Sequence, residues 1–256
     1  MSGHSKWSQI KRKKGVNDTR RGQLFTRLGR DVTLAVREGG SGDPESNFQL
    51  RLAIEKARGA NMPRENIDRA IRRGMGDAGE GVQLEDITYE GYAPGGAAIL
   101  VQTVTDNRNR AASEVRRIFT HGGGNMATSG SVAWMFDKKG ILTIETEGRN
   151  AEEIELELID LGVEDLLQSG KTIEAYVEPK ELRRVREELH KRNIPVENAE
   201  ISMLPKTPAA VATEDAIKAM RLIEQLEELD DVQKVTSNLD INDELIAKFE
   251  NIKEHA

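Results

Sequence analysis

The residues with the clearest chemistry in this chain are the lysines and arginines near its N-terminus. Ten of the first 37 residues are Lys or Arg and two, Asp18 and Asp31, are acidic, which gives this segment a net charge of +8. Such a dense cluster neutralises phosphates and is typical of a surface that meets nucleic acid. We predict that this surface comprises Lys6, Trp7, Lys11, Arg12, Lys13, Lys14, Arg20, Arg21, Arg27 and Arg30.

The charge asymmetry reaches beyond this cluster. Residues 1–76 hold 17 basic and 8 acidic side chains, whereas the remaining 180 residues hold 20 and 36. The first quarter is therefore a cationic module on an acidic chain whose total formal charge is −7. An acidic remainder repels nonspecific contact with polyanions, so binding is expected mainly at the N-terminal quarter.

Trp7 allows two interpretations. An indole in a basic, polar arm can stack on a base or ribose. It can equally pack against the neighbouring helices, because Trp is largely buried in most proteins. Both alternatives stay open at the level of sequence.

The sequence shows no catalytic constellation. It contains no cysteine, and its four histidines are scattered without the spacing of metal ligands. A GxGxxG match at Gly74–Gly79 lies between a predicted helix and a predicted strand, the reverse of the dinucleotide-binding order. We therefore expect no cofactor, no metal and no enzymatic activity.

The elements that position these residues begin with helices. Residues 1–19 are expected to form a flexible arm, followed by a helix with Leu24, Leu28, Val32 and Ala35 on one face. Two more helices are predicted, one around Leu50–Ala57 and one after Pro63.

Beyond a glycine-rich connector, the periodicity changes to that of strands alternating with helices. Strands are predicted at Val132–Asp137 and Ile141–Thr146, with Lys138–Gly140 as the turn between them. Trp134, in an apolar segment, is predicted to pack in a core or between domains. From about residue 141 the order strand–helix–strand–strand–helix–strand is ferredoxin-like.

The predicted fold class is α+β and multidomain: a small helical domain followed by two α+β (ferredoxin-like) domains, the third inserted into the second. The expected bounds are 1–80 for the arm and helical domain, 81–130 plus 206–240 for the discontinuous domain, 131–205 for the insertion and 241–256 for a C-terminal tail with a short helix.

A glycine-rich loop precedes the predicted insertion. Three glycines exceed what a helix C-terminus needs, so the loop is either a recognition element or a hinge between domains. The residues concerned are Gly122, Gly123, Gly124 and Asn125.

Several long segments of the chain, in order, resemble the YebC family. They include GHSKW, IKRKKGVNDTRRGQLFTRL, LRLAIEKARGANMPRENIDRAIRRG, YEGYAPGG, TDNRNRAASEVRRIF, GSVAWMFDKKG and LEELDDVQKVTSNLDI. The loop reading HGGGNMATSGS departs from the family's GGNLGESGS-like string. The resemblance implies three domains, the third inserted in the second, and a cytoplasmic, non-enzymatic protein of gene expression.

The resemblance implies two different mechanisms. Some members are described as probable DNA-binding transcriptional regulators, and others, including a mitochondrial relative, act as translation factors that relieve stalled ribosomes. The expected partner is accordingly DNA or ribosomal RNA, with the ribosome as a possible assembly and no membrane. An adaptor that binds proteins through the two α+β domains, and a nucleic-acid-processing enzyme, are the alternatives. The oligomeric state is left open.

Overall fold

A computed structural model describes residues 18–76, 84–146 and 148–254 of the chain. The chain divides into two compact units. One, here called the inserted unit, is Asp137–Leu204, and the other, the main unit, comprises the residues on either side of it. None of the helices in the described ranges has the length and hydropathy of a membrane span.

The main unit begins with three helices: α1 (Asp18–Gly39), α2 (Phe48–Gly59) and α3 (Arg64–Met75). Asn47 caps α2, because its side-chain oxygen accepts the Leu50 N–H at 3.0 Å. Its amide nitrogen donates to the Ala35 carbonyl at 2.7 Å, which ties the start of α2 to α1. The helices enclose their own apolar core, built from Leu28, Val32, Val36, Leu50, Ile54, Ala57 and Ile67.

A close approach of α3 to α1 depends on Gly74. A Cβ at this position would lie 2.6 Å from the Cβ of Val36, closer than real side chains approach. Glycine is therefore required for packing here. The helical segment, predicted as a domain of its own, has a separate core but belongs to the same compact unit as the first sheet.

The rest of the main unit is a four-stranded antiparallel sheet in the order β3-β1-β2-β8, covered by helices. The elements are β1 (Glu85–Tyr92), β2 (Ala98–Thr105), α4 (Arg108–His121), β3 (Asn125–Ala127), α7 (Thr213–Glu227), β8 (Val232–Ser237) and α8 (Asp243–Glu254). Phe119 of α4 and Met220 of α7 are completely buried in its core. The chain leaves the main unit after β3 and returns to it before α7, so the fourth strand of the sheet, β8, comes from the part of the chain that follows the inserted unit.

The inserted unit contains β4 (Phe136–Glu145, which starts at its boundary), α5 (Ala151–Asp160), β5 (Asp165–Ser169), β6 (Thr172–Val177), α6 (Leu182–Lys191) and β7 (Val196–Pro205). Its sheet order is β5-β6-β4-β7. This is the ferredoxin-like order predicted for the insertion. The mixed fold class, a helical region followed by two antiparallel sheets, is confirmed.

The predicted hairpin turn at Lys138–Gly140 is wrong, because β4 runs without interruption through it. The glycine serves packing instead: a Cβ at Gly140 would lie 2.8 Å from Val177 Cγ2. Lys139 is held by two carboxylates, Glu164 at 2.5 Å and Glu178 at 2.8 Å, and these hydrogen bonds raise the pKa of the lysine.

The predictions for the segment before β4 also need correction. Residues Ala133–Met135 form a short 3-10 helix in place of the predicted strand. Trp134 is 63% exposed, so the prediction that it packs in a core is wrong, and packing between domains stays a prediction. Its indole N–H donates to the Ser131 carbonyl at 3.0 Å, so the polar edge of the ring is satisfied while the ring itself meets solvent.

Candidate nucleic-acid interface

Much of the predicted basic cluster precedes the described residues. Lys6, Trp7, Lys11, Arg12, Lys13 and Lys14 lie outside them. Arg20 falls in the first turn of α1, where side chains are not described, and Arg21 is exposed one position further on. The proposed phosphate contacts of these residues rest on their charge and their position in the chain.

Arg27 and Arg30 contact the same chain about 200 residues further on. The Arg27 guanidinium donates to the carbonyls of Glu227 and Leu229. Arg30 donates to the carbonyl of Asp230, and its Nη2 lies 3.0 Å from Asp231 Oδ1. Because both guanidinium groups are engaged, their main role here is to attach α1 to the segment between α7 and β8. Phosphate binding by Arg27 and Arg30 stays a prediction.

Asp231 is the centre of this attachment. The carboxylate is nearly fully buried. Its Oδ2 accepts hydrogen bonds from the Thr105 hydroxyl and from Arg110 Nη2, both at 2.8 Å, while its Oδ1 faces Arg30 without an aligned hydrogen bond. We call this set, Arg27, Arg30, Thr105, Arg110 and Asp231, the Asp231 joint.

The electrostatics of the joint follow from burial and pairing. Burial lowers the pKa of Arg27, and the nearby carboxylates of Glu227 and Asp230 offset part of that effect. The hydrogen bond to Asp231 raises the pKa of Arg110. A buried carboxylate is tolerated only when it is paired, so two arginines from distant parts of the chain converge on it. No local sequence pattern reveals this pairing, because Arg30 and Arg110 are far from Asp231 in the chain.

The arginines of α3 are arranged differently. Arg69, Arg72 and Arg73 are all exposed, and within the described residues neither Arg69 nor Arg72 makes an ion pair or hydrogen bond. Arg69 and Arg73 line an open groove between α1 and α3, whereas Arg72 does not. The basic cluster predicted from the sequence does not include these three arginines.

The glycine loop is packed against the main unit. A Cβ at Gly122 would lie 2.8 Å from Leu222 Cδ1, and one at Gly124 would lie 2.6 Å from the Tyr92 carbonyl oxygen. Gly123 has a φ of 74°, a conformation that favours glycine. Asn125 is exposed and pairs with Tyr92 at the start of β3. Close packing accounts for two of the three glycines, and the recognition and hinge interpretations stay predictions.

The chain after this loop is held by a buried carboxylate, Glu90, which was not predicted from the sequence. Glu90 accepts the backbone N–H groups of Gly130, Val132 and Ala133 at 2.6, 2.7 and 2.9 Å. Burial alone would raise the pKa of Glu90, but the backbone hydrogen bonds outweigh it and the pKa lies below its ordinary value. The loop end is thereby anchored to β1.

Known proteins match both the N-terminal part of the chain and the remainder. The family model of the TACO1/YebC protein N-terminal domain matches residues 5–77, and that of the TACO1/YebC second and third domain matches residues 84–239. A probable transcriptional regulatory protein of Chloroflexus aurantiacus is 56% identical over 98% of this chain and 100% of its own length. One from Dehalococcoides mccartyi is 44% identical over 97% of this chain and 98% of its own length.

A solved structure has the same fold. The crystal structure of a conserved hypothetical protein from Aquifex aeolicus superimposes with a TM-score of 0.82 at 44% sequence identity. The match covers 90% of this chain and 95% of the Aquifex chain.

Proposed function

Since the chain belongs to the TACO1/YebC family, we propose that it is a non-enzymatic regulator of gene expression that binds nucleic acid through its basic N-terminal quarter. Relatives at 44–56% identity are named probable transcriptional regulatory proteins, which supports a regulatory role in general. Nucleic-acid binding, the residues that perform it and a cytoplasmic location are the further content of the proposal.

The observation that carries the proposal is the separation of charge along the chain. Residues 1–76 have a net charge of +9 and the remaining residues −16. A cationic module gains affinity for polyanions by releasing counterions from phosphates. The structure of the same region supports the proposal, because α3 presents Arg69 and Arg72, which are exposed and make no ion pair or hydrogen bond within the described residues.

The target is DNA or RNA. Phosphate contacts position a protein without specifying sequence, and the basic module provides contacts of that kind. The names of the relatives favour transcription, and the family resemblance of the sequence also favours the ribosome. Sedimentation of a lysate with and without RNase separates them: RNA-dependent migration with ribosomes indicates translation, and absence from ribosomal fractions indicates DNA.

The binding proposal is tested by charge reversal in the arm of the full chain. The variant changes four residues to Glu: Lys11, Lys13, Lys14 and Arg12. Its affinity for a labelled mixed-sequence oligonucleotide should fall by at least about tenfold and its salt dependence should flatten, because each lost phosphate contact removes roughly one counterion from the slope.

A matched control has the same change of charge elsewhere. It changes four exposed lysines outside the basic quarter to Glu: Lys138, Lys171, Lys180 and Lys218. Equal losses in both variants would mean that net charge alone sets the affinity. Unchanged binding in the arm variant would contradict the proposed site and favour an adaptor that uses the α+β domains.

A further inference from the structure

The groove between α1 and α3 has the size of a ligand site. Its volume is about 540 Å³, within the range of about 300–1,000 Å³ typical of small-molecule pockets. Gly22, Phe25, Thr26 and Gly29 of α1 form one side of it. The opposite side belongs to α3.

The α3 side is cationic and polar. Asn66, Arg69 and Arg73 follow one another at intervals of three and four residues, so they share one face of the helix. All three line the groove. Two guanidinium groups beside the Asn66 amide offer several donors and charges to a phosphate group.

Among the described residues that line the groove, one carries a carboxylate, Asp106. It is paired with Arg110 at 2.8 Å, so its charge is compensated from outside the groove. Arg30 also lines the groove, but it is engaged in the Asp231 joint. Arg69, which makes no ion pair within the described residues, therefore gives the groove a positive charge.

The α1 side provides an aromatic surface with open space beside it. Phe25 is half-buried against the helical core and still contributes to the groove. At Gly22 a Cβ would meet nothing within 4 Å. An aromatic ring next to clear space and cations is the combination that single-stranded nucleic acids use, with a base stacked on the ring and phosphates on the cations.

We propose that this groove binds one or two nucleotides of a single-stranded nucleic acid, with phosphate held by Arg69 and Arg73 and a base against Phe25. The inference rests on the proposed function and deepens it, since it assigns a second contact region behind the basic arm. A duplex would keep its bases stacked and out of reach of the ring, so the ligand is a single strand.

The first test compares two arginines of the same helix in the full chain. Arg69→Glu and Arg72→Glu change the charge equally, but only Arg69 lines the groove. The probe is a fluorescein-labelled oligouridylate of about 12 nucleotides, read by fluorescence anisotropy over a salt series. Arg69→Glu should weaken binding about tenfold and Arg72→Glu less than about threefold, because only the former removes a direct phosphate contact.

The second test obstructs the groove without changing charge. Gly22→Gln places a side chain in the open space beside Phe25 and favours the helix. It should weaken binding about tenfold at an unchanged salt slope, as expected for a displaced base. Gly59→Gln, at an equally open position at the end of α2, is the control and should bind as the unmodified chain does.

The outcomes separate the two proposals. If the unmodified chain does not bind the oligonucleotide, the proposed function fails and the groove proposal fails with it. If the unmodified chain binds, but Arg69→Glu equals Arg72→Glu and Gly22→Gln equals Gly59→Gln, the groove proposal alone is overturned. Circular dichroism of each variant establishes that the fold is retained.

Discussion

Arg27 and Arg30 of α1 differ from Arg69 and Arg72 of α3 in the partners of their guanidinium groups. Arg27 and Arg30 of α1 meet carbonyls and a buried carboxylate from the far end of the chain. Arg69 and Arg72 of α3 face solvent and make no ion pair or hydrogen bond within the described residues.

The difference shows that a basic segment is not a uniform binding surface. A guanidinium already paired with a buried carboxylate would have to abandon that carboxylate to bind a phosphate, at considerable cost. An exposed guanidinium exchanges only water and counterions. We therefore expect changes at the Asp231 joint to act on stability and changes at the α3 arginines to act on binding.

The largest expected effect is at the centre of the joint. Asp231→Ala leaves Arg30 without its carboxylate partner, and we expect a loss of about 3–5 kcal/mol in the free energy of unfolding. Chemical denaturation followed by circular dichroism measures it. The exposed neighbour provides the control, since Asp230→Ala should change stability by less than about 0.5 kcal/mol. If both variants lose the same free energy of unfolding, the buried Asp231 is no more important for stability than the exposed Asp230.

Glu90 offers a second comparison, because it is a buried carboxylate that accepts hydrogen bonds from backbone N–H groups instead of arginines. Glu90→Gln replaces one acceptor oxygen by a donor, and we expect a loss of about 2–3 kcal/mol at neutral pH.

The pH dependence of the same variant gives a second readout. Because the pKa of Glu90 is lowered in the folded state, its ionised form contributes stability above the unfolded-chain pKa of about 4.3. That contribution is lost as the pH falls through the folded pKa. Glu90→Gln should therefore approach the unmodified chain in stability as the solution is acidified. A constant difference from neutral to acidic pH would contradict this account of Glu90.

We expect Arg27 to make an intermediate contribution to the free energy of unfolding. Arg27→Gln removes the hydrogen bonds to the Glu227 and Leu229 carbonyls, so we expect a loss of about 1–2 kcal/mol. Oligonucleotide affinity, measured at a temperature where the variant is folded, should stay within about twofold, because Arg27 is not free to bind phosphate. A large loss of affinity with full stability would place Arg27 in the binding surface instead.

The smallest effect on stability is expected at α3. Arg69→Gln should change the free energy of unfolding by less than about 0.5 kcal/mol, as for exposed side chains without partners. Thermal unfolding of this variant beside Arg27→Gln tests the comparison directly. Destabilisation of Arg69→Gln as large as that of Arg27→Gln would mean that the exposed arginines also support the fold.

Much of the fold was predictable because its signals are local. The apolar spacing of α1 and the position of Pro63 before α3 indicate helices from sequence alone. The order of strands and helices in the inserted unit likewise predicts its ferredoxin-like sheet. Each of these features depends on residues that are near one another in the chain.

The incorrect predictions arose where the local sequence suggests one structure and the rest of the fold determines another. Lys138–Gly140 resembles a turn, but Gly140 is small because Val177 packs against it. Trp134 lies in an apolar string and yet is exposed on a 3-10 helix. The phosphate contacts predicted for Arg27 and Arg30 stay a prediction, and their partners near residue 230 are evident only in the folded chain.

The most direct test of the central claim is to map where nucleic acid touches the full chain. Single-stranded RNA containing 4-thiouridine is crosslinked to the protein by light, and the modified peptides are identified by mass spectrometry. We expect the crosslinks to fall within residues 1–76, with Trp7 and Phe25 among the modified positions. Crosslinks concentrated in the inserted unit, Asp137–Leu204, would contradict the assignment of binding to the basic N-terminal quarter.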